Sequence, residues 1–329
     1  MLGAANSQTE QSYIAPLVDE SLLLDLSKGD TLIAVGERGH ILVGDELNQV
    51  SVPTKATLTA VTSIGDAVWA VGHDASILKS SDAGQSWELL QQAPELDRPL
   101  MDVHFFNEQD GIAVGAYGLF YRSEDGGETW TQERHPSVLS VDDKEYLESI
   151  KDDQEFYLEE LSFISPHFNR LYNTGDVLYV AGEAGLIASS ADQGRNWERL
   201  DISYQGSFFD VAQLSSGEVL AVGLRGNMFL LSNEQWMPIA SCVTTSLNSI
   251  IVNDNTVYVA GNNGVVLSID TQLLNTDKPQ TQNSEGCARH GAVKQLETEF
   301  SDAISDARLL DNSLLMVTSG GLQTLGLGE

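Results

Sequence analysis

The stretch LYVAGEAGLIASSADQGRNW, residues 178–197, decides the fold. Its first half is a strand of apolar and β-branched residues ending in glycine, a two-residue turn closed by a second glycine, and another apolar strand, which is a β-hairpin pattern. Its second half, SADQGRNW, carries a serine, an aspartate two places on, a glycine two further, and a tryptophan after a polar pair. Both halves recur. The hairpin returns as LIAVGERGHILV from 32, VWAVGHDASILK from 68, GIAVGAYGLFYR from 111, LAVGLRGNMFLL from 220, VYVAGNNGVVLS from 257 and, more weakly, LMVTSGGLQTLG from 315. The second half returns as SSDAGQSW at 80–87 and SEDGGETW at 123–130.

The strand-ending positions Gly36, Gly72, Gly115, Gly182, Gly223, Gly261 and Ser319 are 36, 43, 67, 41, 38 and 58 residues apart. Four of the six steps approach the roughly 40–45 residues of a four-stranded propeller blade. A further apolar strand precedes most hairpins, as in LMDVHFF (100–106) and SFFDVAQL (207–214). The expectation is an all-β chain: one seven-bladed β-propeller over residues 1–329, with four-stranded antiparallel blades whose closed ring protects the sheet edges. Segment 12–18, SYIAPLV, is expected to supply the strand missing from the last blade.

The two long steps locate insertions. Residues 134–166 break the alternation and show helical spacing, with Leu147, Ile150, Leu158 and Leu161 in one stripe and Tyr157 and Ile164 beside it. Nine acidic residues against two lysines between 142 and 160 cover the remaining surface, so a short acidic helical insertion is expected. Residues 271–300 read as a polar loop containing Cys287. Cys287 and Cys242 either form a disulfide or remain two thiols. A bridge places the protein in an oxidising compartment.

Within the SxDxGxxW stretch, Asp82, Asp125 and Asp192 are expected to cap turn amides and Gly84, Gly127 and Gly194 to supply left-handed backbone. Trp87, Trp130 and Trp197 are expected to pack between blades. These stretches resemble the Asp-box of the bacterial neuraminidase repeat. The AVGxxG hairpins are similar to those of the seven-bladed photosystem II assembly and stability factor family and its relatives in non-photosynthetic proteobacteria. The resemblance implies a non-catalytic scaffold or accessory factor for a membrane protein complex or transporter of the cell envelope. It also brings the alternative of a glycan-binding or sialidase-like propeller. A sialidase needs an arginine triad, a tyrosine nucleophile paired with a glutamate, and an acid. The Phe-Arg-Ile-Pro type motif that announces the first arginine is absent.

Charge narrows the partners. With 48 acidic against 17 basic residues, a formal charge of −31, the chain repels nucleic acid and anionic headgroups. No window approaches the ~20 apolar residues of a membrane span. No phosphate loop, nucleophile elbow, zinc spacing or calcium loop occurs, so no cofactor, metal or catalytic residue is expected. The opening MLGAANSQTEQSY resembles the end of a cleaved leader, which with the cysteines points to a periplasmic or secreted protein. The residues at the hairpin turns fall on one ring, and Arg38, His73, Tyr117 and Arg225 there, with Tyr157 and Leu161 on the insertion, are the expected partner-binding residues.

Overall fold

The computed structural model describes residues 11–27, 29–274, 281–282 and 286–328, with only the backbone at 281–282. The leader-like reading of the first ten residues lies outside the described residues. The chain forms seven consecutive antiparallel sheets arranged as a β-propeller. Their innermost strands are Leu23–Leu26, Leu58–Ile64, Leu100–Phe105, Phe168–Asn173, Phe208–Gln213, Leu247–Asn253 and Ile304–Leu310, one for each of blades 1 to 7. Each packs against the next, and that of blade 7 packs against that of blade 1, which closes the ring. Apolar clusters fill the spaces between neighbouring blades. One of them joins Ile33, Val35 and Ile41 of blade 1 to Leu58, Val68 and Leu78 of blade 2.

Six sheets have four strands and the seventh, among the described residues, has three. The expected closing strand is a correction. Residues 12–15 run instead along blade 1, where Ser12 N–H donates to Val52 O at 2.8 Å and Ala15 N–H to Gln49 Oε1 at 2.8 Å. Pro16 has no N–H to donate to a ladder, and Val18–Glu20 coils into a 3-10 turn. That turn lies so close to the last strand that a Cβ on Gly321 would stand 1.8 Å from Asp19 O. Closure rests instead on side chains crossing between blades 7 and 1. Arg308 Nη1 donates to Ser27 O at 2.9 Å, and Val317 packs with Leu23, Leu26 and Leu42.

The hairpin turns share one conformation. In blade 1, Gly36 is extended, and a Cβ there would lie 2.2 Å from Leu22 O, so close approach explains that glycine. Arg38 is left-handed at φ 55°, and Gly39 follows at φ 70° with only 2.3 Å between its would-be Cβ and Thr54 O. The left-handed position recurs at Asp74, Tyr117, Ala184, Arg225 and Asn263. Glycine turns abut the segments that join one blade to the next, as Gly39 does Thr54 and Gly226 does Val243. Turns and interblade connections therefore share one face of the ring.

The helical insertion joins blades 3 and 4 on that same face. Helix α1 spans Val141–Ile150 and α2 spans Gln154–Ile164. Ser140 caps α1 by accepting from Asp143 N–H, and Asp153 caps α2 by accepting from Phe156 N–H. Leu139, Leu147 and Leu161 form a small core between the helices, flanked by Ile150, Tyr157 and Ile164. Gly118 N–H donates to Pro166 O at 3.1 Å and Arg199 Nη1 to Val138 O at 2.6 Å, which seats the insertion over the turns of blades 3 and 4.

The polar stretch after residue 270 is not wholly loop. Val293–Leu296 is the fourth strand of blade 6, paired with Val266–Asp270, and its central Lys294 and Gln295 are exposed as befits an outermost strand. Between these strands Thr281–Gln282 pairs with Ala288–Arg289. A disulfide joins Cys287 to Cys242 in the segment between blades 5 and 6, with Cα atoms 5.8 Å apart.

Candidate functional site

Three places in this fold gather polar chemistry. The first lies on the axis. In every innermost strand the second residue after the leading apolar one follows a break in strand register, and these seven residues are Asp25, Ala60, Asp102, Arg170, Asp210, Ser249 and Asp306. Blades 1, 3, 5 and 7 carry carboxylates there, and each accepts an N–H from the next blade. Val61 donates to Asp25 at 2.8 Å, Leu171 to Asp102 at 2.6 Å, Ile250 to Asp210 at 2.7 Å and Leu26 to Asp306 at 3.3 Å. Arg170 Nη1 lies 2.9 Å from Asp25 Oδ1, and Ser249 Oγ donates to Asp306 Oδ1 at 2.6 Å.

Burial pushes the Asp25 carboxyl up to about 7; Arg170 pulls it down, while Asp306 and Asp102 push it further up. Burial works against the charge of Arg170, yet Asp25, Asp102, Asp306 and Asp210 together hold that guanidinium well above its ordinary range. The cavity beside this cluster, lined by Asp25, Thr62, Asp102, His104 and Arg170 among others, measures only about 70 Å³. Small-molecule sites run to about 300–1,000 Å³. The axis is a hydrogen-bonded polar plug that links blades, and the cavity beside it is too small for a metabolite. Sequence reading missed it. The available signal was the repeated LLD, LMD, FFD and ISD at the start of alternate blades.

The second place is the row of three SxDxGxxW turns on blades 2, 3 and 4. Ser80 Oγ donates to Asp82 Oδ1 at 2.7 Å, and Asp82 also accepts Ser86 N–H at 2.8 Å and Ser86 Oγ–H at 2.6 Å. Asp125 and Asp192 repeat this with Ser123 and Thr129 and with Ser190 and Asn196. Hydrogen bonds from Ser86 and Ser80 draw the Asp82 carboxyl down to about 2. Burial acts the other way at Asp192, but bonds from Asn196, Ser190 and Arg195 bring it to about 2 as well. Such carboxylates stay ionised and fully engaged. Trp87 and Trp197 are buried between blades and Trp130 is half-buried; the indole N–H of Trp87 donates to Gly84 O at 2.8 Å and that of Trp130 to Gly127 O at 2.9 Å.

The third place is the face of hairpin turns. Arg38, His73, Tyr117 and Arg225 are all exposed there. The turns join second and third strands, so these residues stand off the axis, not at its centre. Arg38 on blade 1 and Arg225 on blade 5 are separate points on the ring, and Arg38 Nε lies 3.8 Å from Glu37. Tyr117 alone of this group meets the insertion. Its ring is 5.0 Å from the Arg98 guanidinium and 4.4 Å, edge-on, from His167. Leu161 is a correction: at 4% exposure it is consumed by the core between the helices, and Tyr157 is half-buried against the same core. The aromatic residues that α2 exposes are Phe156 and Phe163. A groove of about 220 Å³ between the insertion and the turns is bordered by Tyr117, Phe163, Asp143, Glu183 and Arg199. Among the described residues no helix is long and apolar enough to cross a membrane, and no cluster of His, Cys, Asp and Glu could hold a metal.

Fold and sites together define a seven-bladed propeller with repeated serine–aspartate turns. More particularly, it is a propeller like those of the photosystem II assembly factors. Residues 90–205 match the family model described as photosynthesis system II assembly factor YCF48. The photosystem II assembly lipoprotein Ycf48 of Prochlorococcus marinus (strain MIT 9312) is 28% identical over 175 residues, 46% of this chain and 51% of that protein. The chain thus spans about half the length of this curated relative in the match. Among solved structures, YCF48 bound to D1 peptide superposes with a TM-score of 0.65 at 12% identity, covering 99% of both chains. YCF48 from Cyanidioschyzon merolae gives 0.65 at 15% identity, over 95% of this chain and 97% of its own.

Proposed function

We propose that this chain is a non-catalytic protein-binding factor that assists the assembly or upkeep of a membrane protein complex, such as a transporter, on the outer side of the cytoplasmic membrane. One observation carries the reading. A single face gathers the hairpin turns and the helical insertion, and on a chain of charge −31 it leaves the aromatic side chains of Tyr117 and Phe163 45% and 63% exposed. Aromatic residues held on a rigid platform are the usual anchors of a protein interface. The similarity to assembly factors supports the same reading. So does the state of the repeated aspartates, whose oxygens are occupied by turn hydrogen bonds and unavailable for glycoside chemistry. The Cys242–Cys287 disulfide supports a periplasmic or secreted location, where such bonds persist.

The test is a cross-linked capture from native membranes, comparing the wild-type chain with a version in which Arg38→Glu and Arg225→Glu are combined and one in which Tyr117→Ser and Phe163→Ser are combined. Recovery of one membrane protein by the wild type, reduced by either pair of changes, supports the reading. Recovery of none by any version, or of the same set by all, counts against it.

A further inference from the structure

The face just described also carries information about the chemistry of its partner. On α2, Phe156, Glu159, Glu160 and Phe163 follow the three-and-four spacing that puts side chains on one side of a helix. Phe156, Glu159 and Phe163 are exposed, and Glu160 accepts Tyr146 O–H at 2.7 Å. This aromatic–acid–aromatic stripe runs into the groove at Phe163, where Tyr117 and Glu183 continue the alternation. The Glu183 side chain is 42% exposed and lies 3.5 Å from His167 Nδ1. Among the described residues, Arg199 is the one cation lining the groove. Its two terminal nitrogens already donate to Val138 O and Ala184 O. At about 220 Å³ the groove is below the size of a metabolite site and suits one large side chain of a bound polypeptide.

Aromatic rings interleaved with carboxylates are complementary to cationic side chains interleaved with apolar ones, through ion pairing and through cation–π contact. The molecule gives its own example in Arg98, whose guanidinium rests over the Tyr117 ring. The nine acids against two lysines of the insertion set the sign of the surrounding field. We infer that the groove and the α2 stripe bind a basic, amphipathic segment of the partner, with one large apolar side chain seated between Tyr117 and Phe163 and an arginine or lysine beside it on Glu183. The inference rests on the protein-binding reading above.

The test uses the full chain and fluorescently labelled short peptides of alternating arginine and leucine, with glutamate–leucine and arginine–serine counterparts, followed by anisotropy. The arginine–leucine peptide is expected to bind best, and more weakly when salt rises from about 0.15 M to about 0.5 M. Phe163→Ser should weaken it by about tenfold or more, the loss expected when one large apolar contact is removed. Glu183→Gln should weaken it by about two- to fivefold, as for an exposed ion pair. Both residues are exposed, so unchanged melting temperatures will show that the variants fold. Glu108→Gln, in an exposed turn of blade 3 between its first two strands, should leave affinity unchanged. The inference is overturned if the glutamate–leucine or arginine–serine peptide binds equally well, if Phe163→Ser has no effect, or if Glu108→Gln matches Glu183→Gln. A membrane protein captured in the earlier experiment together with any of these results would sink the basic-segment inference and leave the scaffold reading standing. Peptide binding that depends on Phe163 and Glu183, with no protein captured, would do the reverse.

Discussion

Replacing Arg170 with methionine removes a guanidinium that pairs with Asp25 in an axial plug where, among the described residues, four carboxylates share one strand position. The guanidinium is 2.9 Å from Asp25, and the two side chains are 12% and 3% exposed, so solvent screens the pair little. Breaking a buried pair by removing one partner costs about 3–5 kcal/mol, because the other charge is left uncompensated. At roughly 2.1 cal/mol/K of unfolding entropy per residue, that corresponds to about 4–7 °C in Tm for a chain of this length. The pH dependence is more diagnostic. The Asp25 carboxyl is raised from its ordinary value of 3.8 to about 7 in the folded protein. Its contribution to stability is therefore fullest at low pH, declines as pH rises through the unfolded value towards 7, and then levels off.

Without Arg170 the folded pKa rises further, so the decline continues above pH 7 by up to about 1.4 kcal/mol per pH unit. Urea unfolding at pH 6, 7 and 8 should show the variant's deficit growing by about 1 kcal/mol or more across that range. Adding Asp25→Asn should restore much of the loss, since the amide oxygen can still accept Val61 N–H. A deficit that is the same at all three pH values, or below about 1 kcal/mol throughout, would refute the assignment of this cluster as a charge-balanced plug.

The other predictions concern the turns and the disulfide. Gly127→Ala places a side chain at φ +86° and 2.6 Å from Trp69 Nε1, so it should cost about 2–4 kcal/mol in urea unfolding; Gly65→Ala, at φ +56° with open space around it, should cost about half as much or less. Carboxyl NMR titration should place Asp82 and Asp192 at about 2. Ser86→Ala should move Asp82 towards its ordinary value, and an unmoved Asp82 would contradict the bonding described. Because these pKa values are depressed, whatever stability the two groups supply is present above about pH 4 and lost as pH falls towards 2. Reducing the bridge across the 45-residue separation of Cys242 and Cys287, or replacing both by serine, should lower stability by up to about 4 kcal/mol on the chain-entropy account. An unchanged melting temperature in reductant would show that the bridge constrains nothing.

How much of this is legible in the sequence depends on whether a residue's environment is local. The hairpins are readable because their left-handed turns and close-approach glycines impose a short pattern, repeated as at Gly36 and Gly39. The helices of the insertion are readable from the spacing of Leu147, Ile150 and Leu161. What that spacing does not say is which surface the stripe meets. Leu161 meets the other helix, so a residue expected at an interface is interior, while Phe163, two positions on, is exposed. The axial plug was hidden for another reason. An aspartate inside an apolar strand reads as an interruption until the strands are superposed. Only then do Asp25, Asp102, Asp210 and Asp306 occupy one position, with Arg170 at the same position in an intervening blade.

The serine–aspartate turns supply their own internal control for what they do. Gly84, Gly127 and Gly194 press against Ile33, Trp69 and Ile112, each the third residue before a strand-ending glycine of the preceding blade. The corresponding residue of blade 4 is Tyr179, and blade 5 brings it no such turn. There the third and fourth strands are joined by Asn233 and Glu234, both left-handed, in a two-residue connection. A cleft of about 590 Å³ opens at that place, bordered by Tyr179, Ser232, Asn233 and Glu234. Trp236 still packs against the cluster that contains Tyr179. The tryptophan alone therefore does not close the gap between blades; the looped aspartate and glycine do. On blades 2, 3 and 4 the motif's glycine presses into the space between sheets, and on blade 5, which lacks the motif, that space is open. That is the behaviour of a device for joining blades and not of a recurring active site.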